Sequence, residues 1–210
     1  MDAGDTPISV GSTILACDAT GGPDGWARAA VPANCLAWQQ FVFAEQGSGI
    51  AFMQYWLINY VSKCPGGWMT FGSDCYRNSN AVAVSPQPVA QLKHLFVSAE
   101  VGGGHDTMVL MTKTRGYSTT GKDSVLELGQ FWNASEFNIF GDGDGTAATF
   151  NAGPTIEVDI QEEDGTTNAP FCKGNSGTTA ETNNLTLSKK CKTFGVVDGA
   201  APHATFTETN

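Results

Sequence analysis

The chain has 210 residues, 21 of them acidic and 11 basic, for a formal charge of −10. That balance repels phosphate backbones and excludes nucleic acid as a partner. No apolar run approaches the roughly 20 residues of a membrane span, and the apolar content is too high and the charge density too low for a disordered chain. No Pro/Ser run, charge block or internal repeat divides the sequence, so residues 1–210 are expected to form one domain.

In chain order, residues 1–35 are rich in Gly, Ala, Asp and Pro, with a short edge strand expected at Ile8–Leu15 and a closed loop after it. Trp38–Phe43 and Ile50–Tyr60 carry the aromatic and branched residues that favour strands, and Ala44–Gly49 between them reads as a turn. Residues 64–80 read as a cysteine-bounded loop. Pro86–Leu95 is the one helix candidate, because Pro88 suits a first helical position and Val89, Leu92 and Leu95 recur every three residues. A hairpin follows: Leu95–Val101, the turn Gly102-Gly103-Gly104, and Asp106–Thr112. Further strands are expected at Ser124–Leu128, Phe131–Phe140, Ala147–Phe150, Thr155–Gln161, Leu185–Leu187 and Thr205–Thr207. Short strands with glycine turns and at most one short helix predict an all-β, two-sheet antiparallel sandwich of the concanavalin or jelly-roll kind.

The six cysteines fall into three local couples, Cys17/Cys35, Cys64/Cys75 and Cys172/Cys191. Each couple brackets a Gly-rich or polar stretch, as a loop staple would, and an even count in such a chain points to disulfides and an oxidising, extracellular compartment. The opening Met1-Asp2-Ala3-Gly4-Asp5 has no signal-peptide character, so secretion implies a leader already removed. The sequons Asn133-Ala-Ser135 and Asn184-Leu-Thr186 fit that route. There is no C-x-x-C, and the histidines lie far from the cysteines, which argues against zinc.

Three motifs could carry chemistry. Gly174-Asn-Ser-Gly177 lacks the surroundings of a nucleophilic serine and reads as a glycine turn. Asp142 and Asp144 in Gly141-Asp-Gly-Asp-Gly-Thr146 are spaced like the start of a calcium loop. Position 12 is Gly153 where an EF-hand needs glutamate, so a turn is favoured, with calcium at a looser site as the alternative and no other cofactor implied. The third motif is the pair of aromatic strands. Alternation puts Phe52, Gln54, Trp56, Ile58 and Tyr60 on one face of the first, and Trp132, Glu136, Asn138 and Phe140 on one face of the second, with Phe137 and Ile139 opposite as core. A carboxylate within an apolar strand is destabilised unless paired or neutralised, and burial raises its pKa. Glu136 is therefore a site candidate; the alternative is that it points to solvent.

A glutamine-bearing aromatic strand followed by a Trp132…Glu136 strand in a disulfide-containing sandwich resembles the glutamic peptidases of the eqolisin type, to which the plant neprosins are similar in architecture. The resemblance covers residues 50–160. It implies an acid-acting endopeptidase in which Glu136 activates water as general base and Gln54 donates to the oxyanion. Trp56, Trp132, Asn138 and Tyr60 would line the substrate cleft. The family's Trp-Tyr-Glu-Trp-Tyr-Pro stretch is absent, with Gln54-Tyr-Trp-Leu-Ile-Asn-Tyr60 near where it would stand, and Glu136 stands four residues after Trp132 instead of three. The stretches 52–64 and 132–150, with the ending 205–210, are also similar to a group of uncharacterised secreted microbial proteins. Two other readings stand beside the peptidase. One is a carbohydrate-binding, lectin-like module using Trp56, Tyr60, Trp68 and Tyr76, with calcium at Asp142 and Asp144. The other is a secreted structural or interaction protein without catalysis. The partner is then a polypeptide or a carbohydrate.

Overall fold

The structure is a computed structural model that describes residues 8–16, 34–45, 47–60, 63–130, 132–141, 147–172 and 182–210. Within them the fold is all-β, as the turn spacing predicts. The strands are β1 Ile8–Ala16, β2 Leu36–Glu45, β3 Gly49–Ile58, β4 Met69–Phe71, β5 Asp74–Asn78, β6 Val82–Val84, β7 Phe96–Glu100, β8 His105–Met111, β9 Gly116–Lys122, β10 Phe137–Ile139, β11 Thr155–Gln161, β12 Thr186–Phe194 and β13 His203–Thr209. The largest sheet has seven strands in the order β10-β1-β2-β3-β5-β4, with β6 also on β3. Two three-stranded sheets, β7-β8-β9 and β11-β13-β12, complete the fold, and every strand pairing is antiparallel.

The seven-stranded sheet packs on β7-β8-β9, and this is the sandwich. Phe41 and Phe43 of β2, Ala51, Met53, Tyr55 and Leu57 of β3, and Val84 of β6 meet Met108 and Leu110 of β8 in one buried cluster. Each of these side chains is at alternate positions of its strand, so one face of each strand supplies the core. Central β2 is different. It is buried along nearly its whole length on both faces, whereas β3 alternates buried and half-buried. A smaller cluster of Ile139, Ala148 and Phe150, with Phe137, Leu92, Leu95, Ile156 and Leu185 against it, joins β10 to the third sheet.

Several expected elements take another form. Pro86–Leu95 contains a 3-10 turn, Val89–His94, in place of an α-helix; the three-residue spacing of Val89, Leu92 and Leu95 is the period of a 3-10 helix. Ser124–Leu128 is not a strand. It is two 3-10 turns, Asp123–Val125 and Leu128–Gln130; adjacent Val125 and Leu126, with Leu128, all pack into the one core cluster, whereas adjacent residues of a strand face opposite ways. The expected strand Phe131–Phe140 shrinks to β10. Its partner β1 offers only Ile8, Ser9 and Val10 before a register break at Val10/Ser12, and Ala147–Phe150 retains only an isolated bridge at Ala148. The loop expected over residues 64–80 folds instead into the β4–β5 hairpin, and β6 and β9 are additions to the expected strands. The glycine hairpin forms as expected, with Gly102, Gly103 and Gly104 all at positive φ, where a side chain would be strained.

Cys64–Cys75 and Cys172–Cys191 are disulfides, two of the three local pairs expected. Cys35 is also disulfide-bonded; its expected partner, Cys17, lies outside the described residues. No helix among the described residues is long and apolar enough to cross a membrane.

Candidate functional site

The face of the seven-stranded sheet turned away from the sandwich core carries two cross-strand rows. In the first, Trp38 of β2 faces Trp56 of β3, which faces Tyr76 of β5, which faces Met69 of β4. In the second, Gln40 faces Gln54 and Gln54 faces Asn78. Side chains directly opposite on antiparallel strands stand about 5 Å apart, so each row is a line of contacts. The rings bear this out. Trp56 stacks on Tyr76 with centroids 5.1 Å apart, takes Phe71 edge-on at 6.0 Å and meets Trp38 at 6.4 Å.

The amide row is locked to the aromatic row. The Trp56 indole N–H is shared between Oε1 of Gln40, at 2.9 Å, and Oε1 of Gln54, at 2.8 Å. Gln54 Nε2 then donates to Oδ1 of Asn78 at 2.9 Å. Each amide dipole along the row is thereby oriented, which pre-organises its remaining donors and acceptors. The row runs from buried to open: Trp38 is buried, Trp56 and Tyr76 are half-buried, and Met69, Phe71 and Asn78 are exposed. The Cys64–Cys75 disulfide holds the hairpin that delivers Phe71, Tyr76 and Asn78 to this edge.

The other expected site residues lie elsewhere. Glu136 is half-buried and precedes β10 instead of lying within a strand; Asn138 Nδ2 donates to its Oε2 at 3.5 Å. Asn138 itself is buried, in register with Ser9, Val42 and Phe52 across β1, β2 and β3. Three strand intervals therefore separate the backbones near Glu136 and Gln54, roughly 14 Å at about 4.8 Å each. Asn138 is one polar partner of Glu136, while Gln54 bonds to Trp56 and Asn78. Trp132 is half-buried just after the Leu128–Gln130 turn, its N–H on the Leu128 carbonyl.

Alternation places Tyr60 beside Trp56, but β3 ends at Ile58 and Asn59 turns the chain at φ 57°. Tyr60 then enters the sandwich core and is buried there. Trp68 packs against the same core. Asp142 and Asp144 lie outside the described residues. Phe71 escapes sequence reasoning because a three-residue strand inside a cysteine-bounded loop carries too little pattern to place it.

No protein-family model, no curated protein and no solved structure matches this chain.

A second polar group lies on the opposite face of the same strands. Gln39, Tyr55 and Asp106 are almost wholly excluded from water. Gln39 Nε2 donates to Oδ2 of Asp106 at 3.1 Å, and the Gly102 N–H donates to Oδ1 at 3.3 Å. Burial, above all, raises the Asp106 pKa to about 6, against the lowering effect of those two hydrogen bonds. Burial also pushes the Tyr55 hydroxyl well above its ordinary value, with the Asp106 charge adding to the rise. Alternation with Met108 and Leu110 in Asp106-Thr-Met-Val-Leu110 is the signal in the sequence that marks Asp106 as a core-facing acid.

Proposed function

We propose that this protein is a secreted saccharide-binding module. The observation that carries the reading is the Trp56–Tyr76 stack, edged by exposed Phe71 and bordered by the hydrogen-bonded Gln54–Asn78 amides. A pyranose ring offers an apolar C–H face and a rim of hydroxyls. An aromatic surface accepts the first, and neutral amides, which both donate and accept, match the second. The formal charge of −10 disfavours anionic glycans and points to neutral ones. The two disulfides among the described residues fit an extracellular setting.

The peptidase reading asks Glu136 and Gln54 to converge on one scissile carbonyl, within hydrogen-bond reach of it. The roughly 14 Å between their backbones gives it less support. Calorimetric titration with a panel of neutral oligosaccharides, beside digestion of denatured protein in acid, separates the two. Binding that is lost in Trp56→Ala and Asn78→Ala but kept in Trp132→Ala supports the module. Cleavage that is abolished by Glu136→Gln, with no glycan bound, would establish the peptidase in its place.

A further inference from the structure

The third sheet has a face that the Trp56 site does not use. Ile156 of β11 packs into the Ile139 cluster, and Phe206 of β13 meets Phe137 of β10 with ring centroids 6.1 Å apart. Those positions point toward β10, so residues of the other parity point away from it. On that outward face Gln161 of β11 stands opposite His203 of β13, and His203 opposite Phe194 of β12.

The row joins ring surface to neutral polar groups. The Phe194 and His203 rings stack with centroids 4.7 Å apart and planes 19° from parallel. Phe194 still keeps 37 % of its surface exposed, on the edge strand β12. His203 Nδ1 lies 3.0 Å from the Ala201 carbonyl oxygen. A carbonyl oxygen only accepts, so Nδ1 carries the hydrogen and Nε2 of the neutral ring is an acceptor. Gln161, at the other end of the row, is exposed, and its amide both donates and accepts. The row contains no carboxylate or ammonium group; Asp159 and Lys192, of opposite sign, flank Thr205 in the next row of the same face.

The end of β12 is held in place. The Val196 N–H donates to the Thr167 carbonyl at 3.2 Å, and a Cβ on Gly195 would lie 2.7 Å from that same oxygen. Only glycine allows the two backbones to approach so closely. Cys191, earlier in β12, is bridged to Cys172. Phe194 is therefore pre-organised, which lowers the ordering cost of binding.

We propose that the Phe194–His203–Gln161 row is a second binding site, taking a neutral oligosaccharide. One sugar ring packs its C–H face on Phe194, and hydroxyls reach His203 Nε2 and, further along the chain, the Gln161 amide. The row spans two strand intervals, roughly 10 Å, so the ligand is a chain of linked sugars and not a monosaccharide. This sheet is joined to β10, at the opposite edge of the large sheet from β5 and β4. The two sites thus lie on different parts of the molecule, and a polysaccharide that engages both gains avidity. The inference shares its chemistry with the Trp56 face but rests on none of that face's residues.

The test is calorimetric titration of Trp56→Ala with linear oligosaccharides of neutral glucans and mannans, which reads the second site alone. Binding should persist in that variant, disappear when Phe194→Ala is added and weaken when Gln161→Ala is added, with the monosaccharides left unbound. In the unsubstituted protein, nitrogen-15 NMR should show the His203 Nε2 signal shift on adding the same oligosaccharide, which keeps the result readable if a variant does not fold. On insoluble polysaccharide, the unsubstituted protein should be retained on the order of 10²-fold more tightly than Trp56→Ala or Phe194→Ala. If Trp56→Ala binds nothing while the unsubstituted protein binds a saccharide, the second site is overturned and the first stands. Binding kept in Trp56→Ala but lost in Phe194→Ala alone would uphold the second site and remove the first. A protein that binds none of these saccharides, or that sediments as a dimer broken by Phe194→Ala with His203 Nε2 unmoved by sugar, overturns the proposal.

Discussion

Replacing Asp106 with asparagine should change how stability depends on pH. The Asp106 carboxyl binds its proton with a pKa of about 6 in the folded protein and 3.8 in the unfolded chain. The folded value is the higher one, so the group's stabilising contribution is complete below 3.8 and is lost as the pH rises through about 6. At about 1.4 kcal/mol for each tenfold change in proton affinity, the loss is ~3 kcal/mol. That is a large share of the roughly 5–15 kcal/mol that holds an ordinary domain together. Asp106→Asn has no proton to lose. Its new amide can meet a reoriented Gln39, whose Oε1 is unpartnered in the wild type, so the shape and the hydrogen bond to β2 both survive. Urea unfolding followed by tryptophan fluorescence, at about pH 4 and about pH 7.5, reads the effect. The variant should match the wild type in acid and exceed it by ~3 kcal/mol at neutral pH. The net charge adds its own pH dependence to both proteins, so only the difference between them counts. Parallel profiles for the two proteins would refute the reasoning.

Three further outcomes are expected. Gly129→Ala should destabilise by about 1–3 kcal/mol or more in a thermal melt, because its Cβ would lie 2.5 Å from Gly102 Cα and 2.7 Å from the Val101 carbonyl oxygen; Gly103→Ala, which meets no atom but sits at φ +64°, should cost only about 1 kcal/mol. Replacing both Cys64 and Cys75 with serine should lower stability by roughly 2–3 kcal/mol for their sequence separation of 11. It should also weaken saccharide binding, since that bridge sets Phe71 and Tyr76 against Trp56; unchanged affinity would detach the hairpin from the site. After expression through a glycosylating secretory route, peptide mass mapping should find glycan at exposed Asn133 and little at Asn184, whose side chain is bonded to both the N–H and the carbonyl of Phe150. The reverse occupancy would contradict the assignment.

The aromatic face is half legible in the sequence. Alternation along Phe52-Met-Gln-Tyr-Trp56 places Gln54 and Trp56 on one side of β3 whatever the strand pairs with, because the side-chain period of a strand is two. It cannot reveal that Tyr76, Phe71 and Asn78 complete the row. That depends on the pairing of β3 with β5, a choice made by cross-strand contacts and by the Cys64–Cys75 bridge. It also misplaces Tyr60, because one residue at positive φ, Asn59, ends the alternation, and nothing in a run of apolar residues announces such a turn. Gln54 and Glu136 illustrate the same limit: their faces can be argued locally, but the distance between them is set by β1 and β2 standing in the gap.

By itself the sequence determined the all-β class, the antiparallel hairpins and two local disulfides, since each depends on short-range periodicity, glycine turns or nearby cysteines. The tertiary structure alone decided that β2 is buried on both faces, that residues 124–128 plug the core instead of forming a strand, and that Gln39 meets Asp106 across 67 residues of chain. Those outcomes come from which surfaces exclude water from one another, and no stretch of the chain carries that information until the sheets have packed.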